Sequence, residues 1–387
     1  MTRFTASCLS LAALGLIAHG CSAPPPRLNT AWAQRARTVQ SDALGAEKPR
    51  PPVAEWGPGG DREEDELADL DEETGLGDVV VRLGRGRWLL EERVLLRGAT
   101  SVVVEGEGPH RTRLELDTKT VGALMVEGAR RVELRGLTVV GLSGGGITLK
   151  DCPDVRVDDV HFAGARFGLE LVGSTAEVGT SVFVGCERGV SLRQEARLAV
   201  RESAFVDCWQ GIAGDGAVEA TACAFVDSHR DAIDVRLGRR DALTSLLFAG
   251  ERQRAWRGSP GTVRALLLPI GELTKLEDRR PHRELVRREE FPDALREGAP
   301  PGFDIAGVHL ALLRAESRGK KDPPRHVRDE ALEQAERHAA AARDALRGGD
   351  VARARGSALI ALRYCGPGPL GDDVPDAVRD VAELAMP

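Results

Sequence analysis

Aromatic side chains are scarce in this chain: phenylalanine, tryptophan and tyrosine make up 4% of its 387 residues, and Tyr364 is the only tyrosine. Sugar rings are commonly gripped by exposed aromatic faces, so the scarcity counts against tight glycan binding. Of five tryptophans, only Trp88 and Trp209 fall within the repeats described next. Charge of one sign is also lacking. The net charge of −7 is spread over both signs, which indicates neither a nucleic-acid-binding surface nor a sponge for polyanions. The apolar run from Leu9 to Ala18 falls short of the ~20 residues that span a bilayer. No spacing of Cys and His resembles a structural zinc site, no metal site is expected, and nothing calls for a cofactor.

What the chain does have is one phrase written five times between Val132 and Val235. It reads Val132-Glu-Leu134-Arg-Gly-Leu137-Thr-Val139 at first, then closes on Phe162, Phe183, Phe205 and Phe225 in successive copies, with a period of 20 to 23 residues. A second phrase recurs with the same period: Ile147-Thr-Leu149, Leu169-Glu-Leu171, Val190-Ser-Leu192, Ile212-Ala-Gly214 and Ile233-Asp-Val235, preceded by Gly146, Gly168, Gly189, Gly211 and Ala232. Repeats of this length mean stacked coils. Within each phrase apolar residues stand two apart and then three apart, so each segment is a strand and the extra residue a corner. A leucine-rich horseshoe has a similar period, but its Leu-rich consensus with Asn at the turn is absent.

A unit of about 22 residues closes one turn of a parallel β-helix, whose inward side chains stack on those of the next turn at ~4.8 Å. Three inward columns are expected. One runs Val139, Phe162, Phe183, Phe205, Phe225; a second Ile147, Leu169, Val190, Ile212, Ile233; a third Leu142, Ala165, Cys186, Cys208, Ser228. Cys186 and Cys208 fall on consecutive coils, which leaves open a disulfide or a stack of reduced thiols.

These coils resemble the right-handed parallel β-helix superfamily that includes pectate lyases and polygalacturonases. The likeness covers about residues 78 to 237, and Gly77-Asp-Val79-Val-Val81-Arg-Leu83-Gly84 and Val102-Val-Val104-Glu-Gly106-Glu-Gly108 are similar to that family's first turns. The resemblance implies a mainly β, right-handed single-stranded solenoid. It does not carry the activity with it. The polygalacturonase set of Asn-Thr-Asp, Gly-His-Gly and Arg-Ile-Lys is not found, and the double Asp at Asp158-Asp159 lacks these companions. Pectate lyases bind calcium through several aspartates and use an Arg base, whereas the acids here are scattered. Arg254-Ala-Trp256-Arg257 is a faint echo of a lyase segment placed outside the repeat, and His161 has no His or Cys beside it in the column Thr138, His161, Val182, Ala204, Ala224. That column turns small and apolar toward its end, so a later segment is expected to cover it.

Five regions follow from composition. Residues 1–21 read as an export signal, and Ala18-His19-Gly20-Cys21 resembles a bacterial lipobox, which implies a diacylglycerol on Cys21 and anchoring in the cell envelope, with Ser22 next pointing to the outer membrane if the organism is Gram-negative. The alternative is ordinary cleavage near Ala23. Residues 22–75, with Pro24-Pro25-Pro26 and nine acids between Asp61 and Glu73, read as a disordered tether. The solenoid occupies 76–237, and 238–318 is a capping or irregular region in which Leu243 to Phe248 and Val263 to Ile270 finish the stack. Residues 319–387 form a small helical module: Leu332, Ala335, Ala339, Ala342 and Leu346 step by three and four, Gly348-Gly349 stops that helix, Asp350 caps the next, and Asp373 precedes a third.

Chemistry belongs on outward positions, because inward ones are filled by core. The strand after the Gly corner presents Thr148, Lys150, Glu170, Ser191, Arg193, Asp215, Asp234 and Arg236. Asp215 and Asp234 are candidates for the paired carboxylates of an inverting hydrolase, which stand ~6.5 to 9.5 Å apart, with His229 as a neighbouring base. Lys150, Glu170, Arg193 and Arg236 are candidate binding residues, Arg193 for a sugar carboxylate. Solvated ion pairs on an exposed strand are the more ordinary account of the same residues. The favoured reading is a lipid-anchored envelope protein that binds or scaffolds a polysaccharide or an envelope protein without catalysis. A lyase or glycoside hydrolase acting on acidic polysaccharide is the second, and a stalk presenting the helical module to protein partners the third.

Overall fold

In a computed structural model of the chain, the described residues are 53–56, 77–90, 93–117, 123–142, 144–249, 255–268, 297, 299, 303–317, 325–365, 374–382 and 384. The expected signal, Cys21 and most of the expected tether lie outside them. The strand pairings are all parallel, each strand joining its counterpart one coil on, and they build a solenoid of about eight turns followed by a small helical region.

The aromatic column is a continuous ladder. Val139 aligns with Phe162, and Phe183, Phe205, Phe225 and Phe248 follow in register. Successive phenylalanine centroids lie 4.8, 4.7, 4.7 and 5.1 Å apart with rings within 14° of parallel, because the backbone spacing between coils dictates the spacing of the rings. The second column runs Val94, Leu124, Ile147, Leu169, Val190, Ile212, Ile233 and ends on Trp256. Trp256 lies 5.5 Å from Phe248, so the segment expected to fall outside the repeat belongs to its last coil.

The third column needs one correction. Leu142 points out and is 49% exposed; Gly141 takes its place, so close to Ala165 that a Cβ there would stand 2.7 Å from the Ala165 Cα. The later coils insert a residue with positive φ at this corner, Gly164, Gly185, Asp207 and Asp227, so counting forward from the aromatic position overshoots by one in the first coil. All five described cysteines are buried free thiols. Burial lifts the Cys223 thiol to about 12, and a hydrogen bond with Cys186 leads the upward shift at Cys208.

The other corner turns on Gly136, Asp159, Thr180, Glu202, Ala222 and Ser245, all with positive φ. Hydroxyls of the following coil accept the amides freed there: Val160 N donates to Ser181 Oγ at 3.3 Å and Ser181 N to Ser203 Oγ at 3.1 Å.

The stack starts earlier than expected and closes on the strands expected to finish it. Val53–Trp56, within the segment read as tether, pairs in parallel with Asp78–Leu83, since the first coil offers an open edge of backbone donors and acceptors. Ala242–Ala249, Trp256–Gly258 and Thr262–Leu268 continue the coils beyond residue 237.

Four helices follow among the described residues: α1 (Ile305–Ser317), α2 (Arg325–Arg347), α3 (Val351–Arg363) and α4 (Asp376–Ala382). None of them is long and apolar enough to cross a membrane. Asp350 caps α3, its side chain accepting from Arg353 N at 3.0 Å. The buried seam of α2 is Val327, Ala331, Ala335, Ala339 and Ala342; Leu332 and Leu346, expected on it, face out. Helix α1 lay unseen in the irregular region. It is apolar on nearly every side because it serves two cores: Val308, Ala311 and Leu312 cover Val182, Ala204, Ala224 and Leu247, while Leu310 and Leu313 pack with α2, α3 and α4. The small outward column therefore has the cover its composition asked for.

Candidate functional site

The wall of interest is the strand after each Gly corner. Glycine precedes it because the backbone there presses on the aromatic ladder; a Cβ on Gly211 would stand 2.8 Å from Phe225 Cδ1. Alternation then turns Leu169, Val190 and Ile212 inward and leaves one outward column of Met125, Thr148, Glu170, Ser191, Ala213 and Asp234, with Glu127, Lys150, Val172 and Arg193 beside it. The middle of this wall is close-packed, with Glu170, Ser191 and Ala213 all buried.

The charged groups are engaged with each other. Thr148 Oγ1 donates to Glu170 Oε2 at 3.1 Å, and Arg193 Nε stands 3.2 Å from Glu170 Oε1. Gln210 Nε2 donates to Asp234 Oδ2 at 2.5 Å and Arg257 Nη1 to Asp234 Oδ1 at 3.4 Å. Lys150 and Arg97 both bind Glu127, at 2.5 and 2.9 Å. The Lys150 hydrogen bond is the main force holding Glu127 below the usual carboxylate range, and Glu127 in turn raises the Lys150 ammonium.

Asp234 is level with Ala213, whereas Asp215 comes two residues later and is exposed, just beyond the aligned pair Gly214 and Val235. Arg236 is likewise exposed. His229 belongs to the adjoining corner instead: its Nε2 is 2.8 Å from Asp207 Oδ1, and its ring centroid lies 6.1 Å from that of Trp209. Trp209 is 50% exposed. Gln210, Arg257, Asp207 and the outward pose of Trp209 were not foreseen. The signal for the last was available, since backbone bonds align Trp209 with Glu187 and His229, both polar, so its column faces water.

Of the double Asp, Asp158 accepts from Thr180 Oγ1 at 2.6 Å. Asp159 is pushed up to about 7, chiefly by burial, with Asp158 adding to the push and Arg314 opposing it. His161 is buried and meets His110 edge-on, centroids 5.4 Å apart. No group of three or more His, Cys, Asp or Glu suited to a metal ion occurs among the described residues.

No protein-family model matches this chain, and no curated protein does. Two solved structures are similar, both catalytic domains of a GH87 alpha-1,3-glucanase in complex with nigerose, one of them a point variant. Each is 12% identical, with TM-scores of 0.23 and 0.21, and covers 49% of this chain. The chain spans about half of each, 52% and 51%. At those TM-scores the likeness carries no conclusion over to this chain.

Proposed function

We propose that the protein is a non-catalytic solenoid of the cell envelope, held there through Cys21, that binds an extended glycan along the wall of Lys150, Glu170 and Arg193 and the adjoining Trp209 corner. The observation that carries this reading is the engagement of the wall carboxylates. Hydrolysis needs one carboxyl free to protonate a leaving oxygen and a second free to activate water. Glu170 instead serves Thr148 and Arg193, Asp234 serves Gln210 and Arg257, and Asp215 stands out of register with Asp234. Trp209, half exposed with His229 and Asp207 beside it, offers the apolar face and flanking polar groups on which a sugar ring stacks.

Affinity electrophoresis through gels holding polygalacturonate, alginate or a neutral glucan tests the proposal. Retardation of the wild type by at least one polysaccharide is expected, with Trp209→Ala and Arg193→Ala weakening it about tenfold and no new reducing ends or unsaturated products appearing. Product release that disappears in Asp215→Asn or Asp234→Asn would establish the hydrolase or lyase reading instead. Retardation by none of the three sinks glycan binding and leaves a protein partner.

A further inference from the structure

The corner that carries Trp209 brings cations together beside the wall. Backbone hydrogen bonds set Arg166, Glu187, Trp209 and His229 in one column and Phe167, Arg188, Gln210 and Arg230 in the next. Phe167 is buried and its ring gathers two guanidiniums: Arg166 Cζ lies 5.3 Å and Arg188 Cζ 5.5 Å from its centroid. Arg166 also stands 3.5 Å from Glu187, and Asp207 is engaged with His229. Asp227 and Asp231 are buried and have partners of their own.

Among the described residues neither Arg188 nor Arg230 makes an ion pair. Arg188 is half-buried, and its Nε is shielded from solvent without a hydrogen-bond acceptor. A guanidinium that gives its face to a ring keeps its in-plane fork of N–H donors for an oxyanion. Desolvating a cation without a counter-charge is unfavourable, and an anion set against it relieves that penalty. Arg188 lies one coil before Trp209 and the exposed Arg230 one coil after it, so their backbones are two coil steps, ~10 Å, apart with the half-exposed indole on the coil between.

We propose that the ligand of this corner is an anionic glycan: a sugar ring stacks on Trp209 while oxyanions on the glycan, uronate carboxylates or sulfate esters, are taken by Arg188 and Arg230. The inference rests on the glycan-binding reading above and assigns the class of glycan. Arg193 has its Nε turned to Glu170 Oε1 and holds the wall rather than the charge of the ligand.

Affinity electrophoresis of the full chain through gels holding polygalacturonate, alginate, dextran sulfate or uncharged dextran tests the class. At least one polyanion is expected to hold the wild type about tenfold more tightly than dextran does, and the stronger of them names the carboxylate or the sulfate. Arg188→Gln and Arg230→Gln are each expected to weaken that retention about tenfold, whereas Arg156→Gln, the same loss of charge on another strand, is expected to leave it unchanged. Should Arg188→Gln fail to fold, the exposed Arg230 carries the comparison. Dextran holding the wild type as tightly as the polyanions do, or retention that Trp209→Ala weakens and both arginine variants leave intact, overturns the anionic class and leaves glycan binding standing. An equal loss in Arg156→Gln marks attraction by bulk charge and overturns the site. Retention by none of the four overturns the class together with glycan binding.

Discussion

Phe205 has an aromatic ring 4.7 Å away on either side and is fully buried, so truncating it breaks the ladder in the middle. Phe205→Ala is expected to destabilise the protein by about 3–5 kcal/mol, seen as a lower denaturation midpoint with an unchanged slope. Such ladder positions were legible in the sequence because a parallel coil repeats its inward residues at a fixed interval. Leu142 and the offset of Asp215 from Arg193 were not, and for one physical reason. Residues that bulge at corners break the count: Gln194 and Glu195 both carry positive φ, and the register shifts between Leu192 and Ala196. Neither residue type announces that conformation. Wall chemistry depends on which side chains stand level, so the candidate site was less readable than the core beneath it.

Among the helices, α2 shows how spacing misleads when small residues do the packing. Its leucines look like the buried stripe, yet alanine forms the seam because α3 lies close against it. Ala339→Leu is therefore expected to overpack that contact, with a loss of about 1–3 kcal/mol in thermal or chemical unfolding, while Leu332→Ala on the outer face changes stability by less than about 0.5 kcal/mol. Helix α1 escaped notice for the opposite reason. A segment buried on all sides has no amphipathic period, so Ile305–Ser317 carries no mark that separates it from an irregular connection. Its partner strip was visible nevertheless, because Val182, Ala204 and Ala224 are small and apolar where charged residues are the rule.

For the whole molecule, the solenoid and the helical region have separate cores joined through α1 and the Asp304, Glu202 and Arg363 ion pairs. The proposed attachment to the envelope rests on Cys21 in the N-terminal segment. Cys21→Ala is expected to move the protein from the membrane fraction to the soluble fraction after cell disruption, and metabolic labelling with an alkyne fatty acid is expected to mark the wild type only. Equal fractionation of the two would favour ordinary cleavage near Ala23.

Helix α1 is 13 residues, about 20 Å, and touches Val182, Ala204, Ala224 and Leu247 on four successive coils, whose three steps add up to about 14 Å. It therefore acts as a gauge of length. Whole turns gained or lost by tandem duplication upstream of Val182, where among the described residues each strand pairs with the coils on either side, would leave the span that α1 covers unchanged.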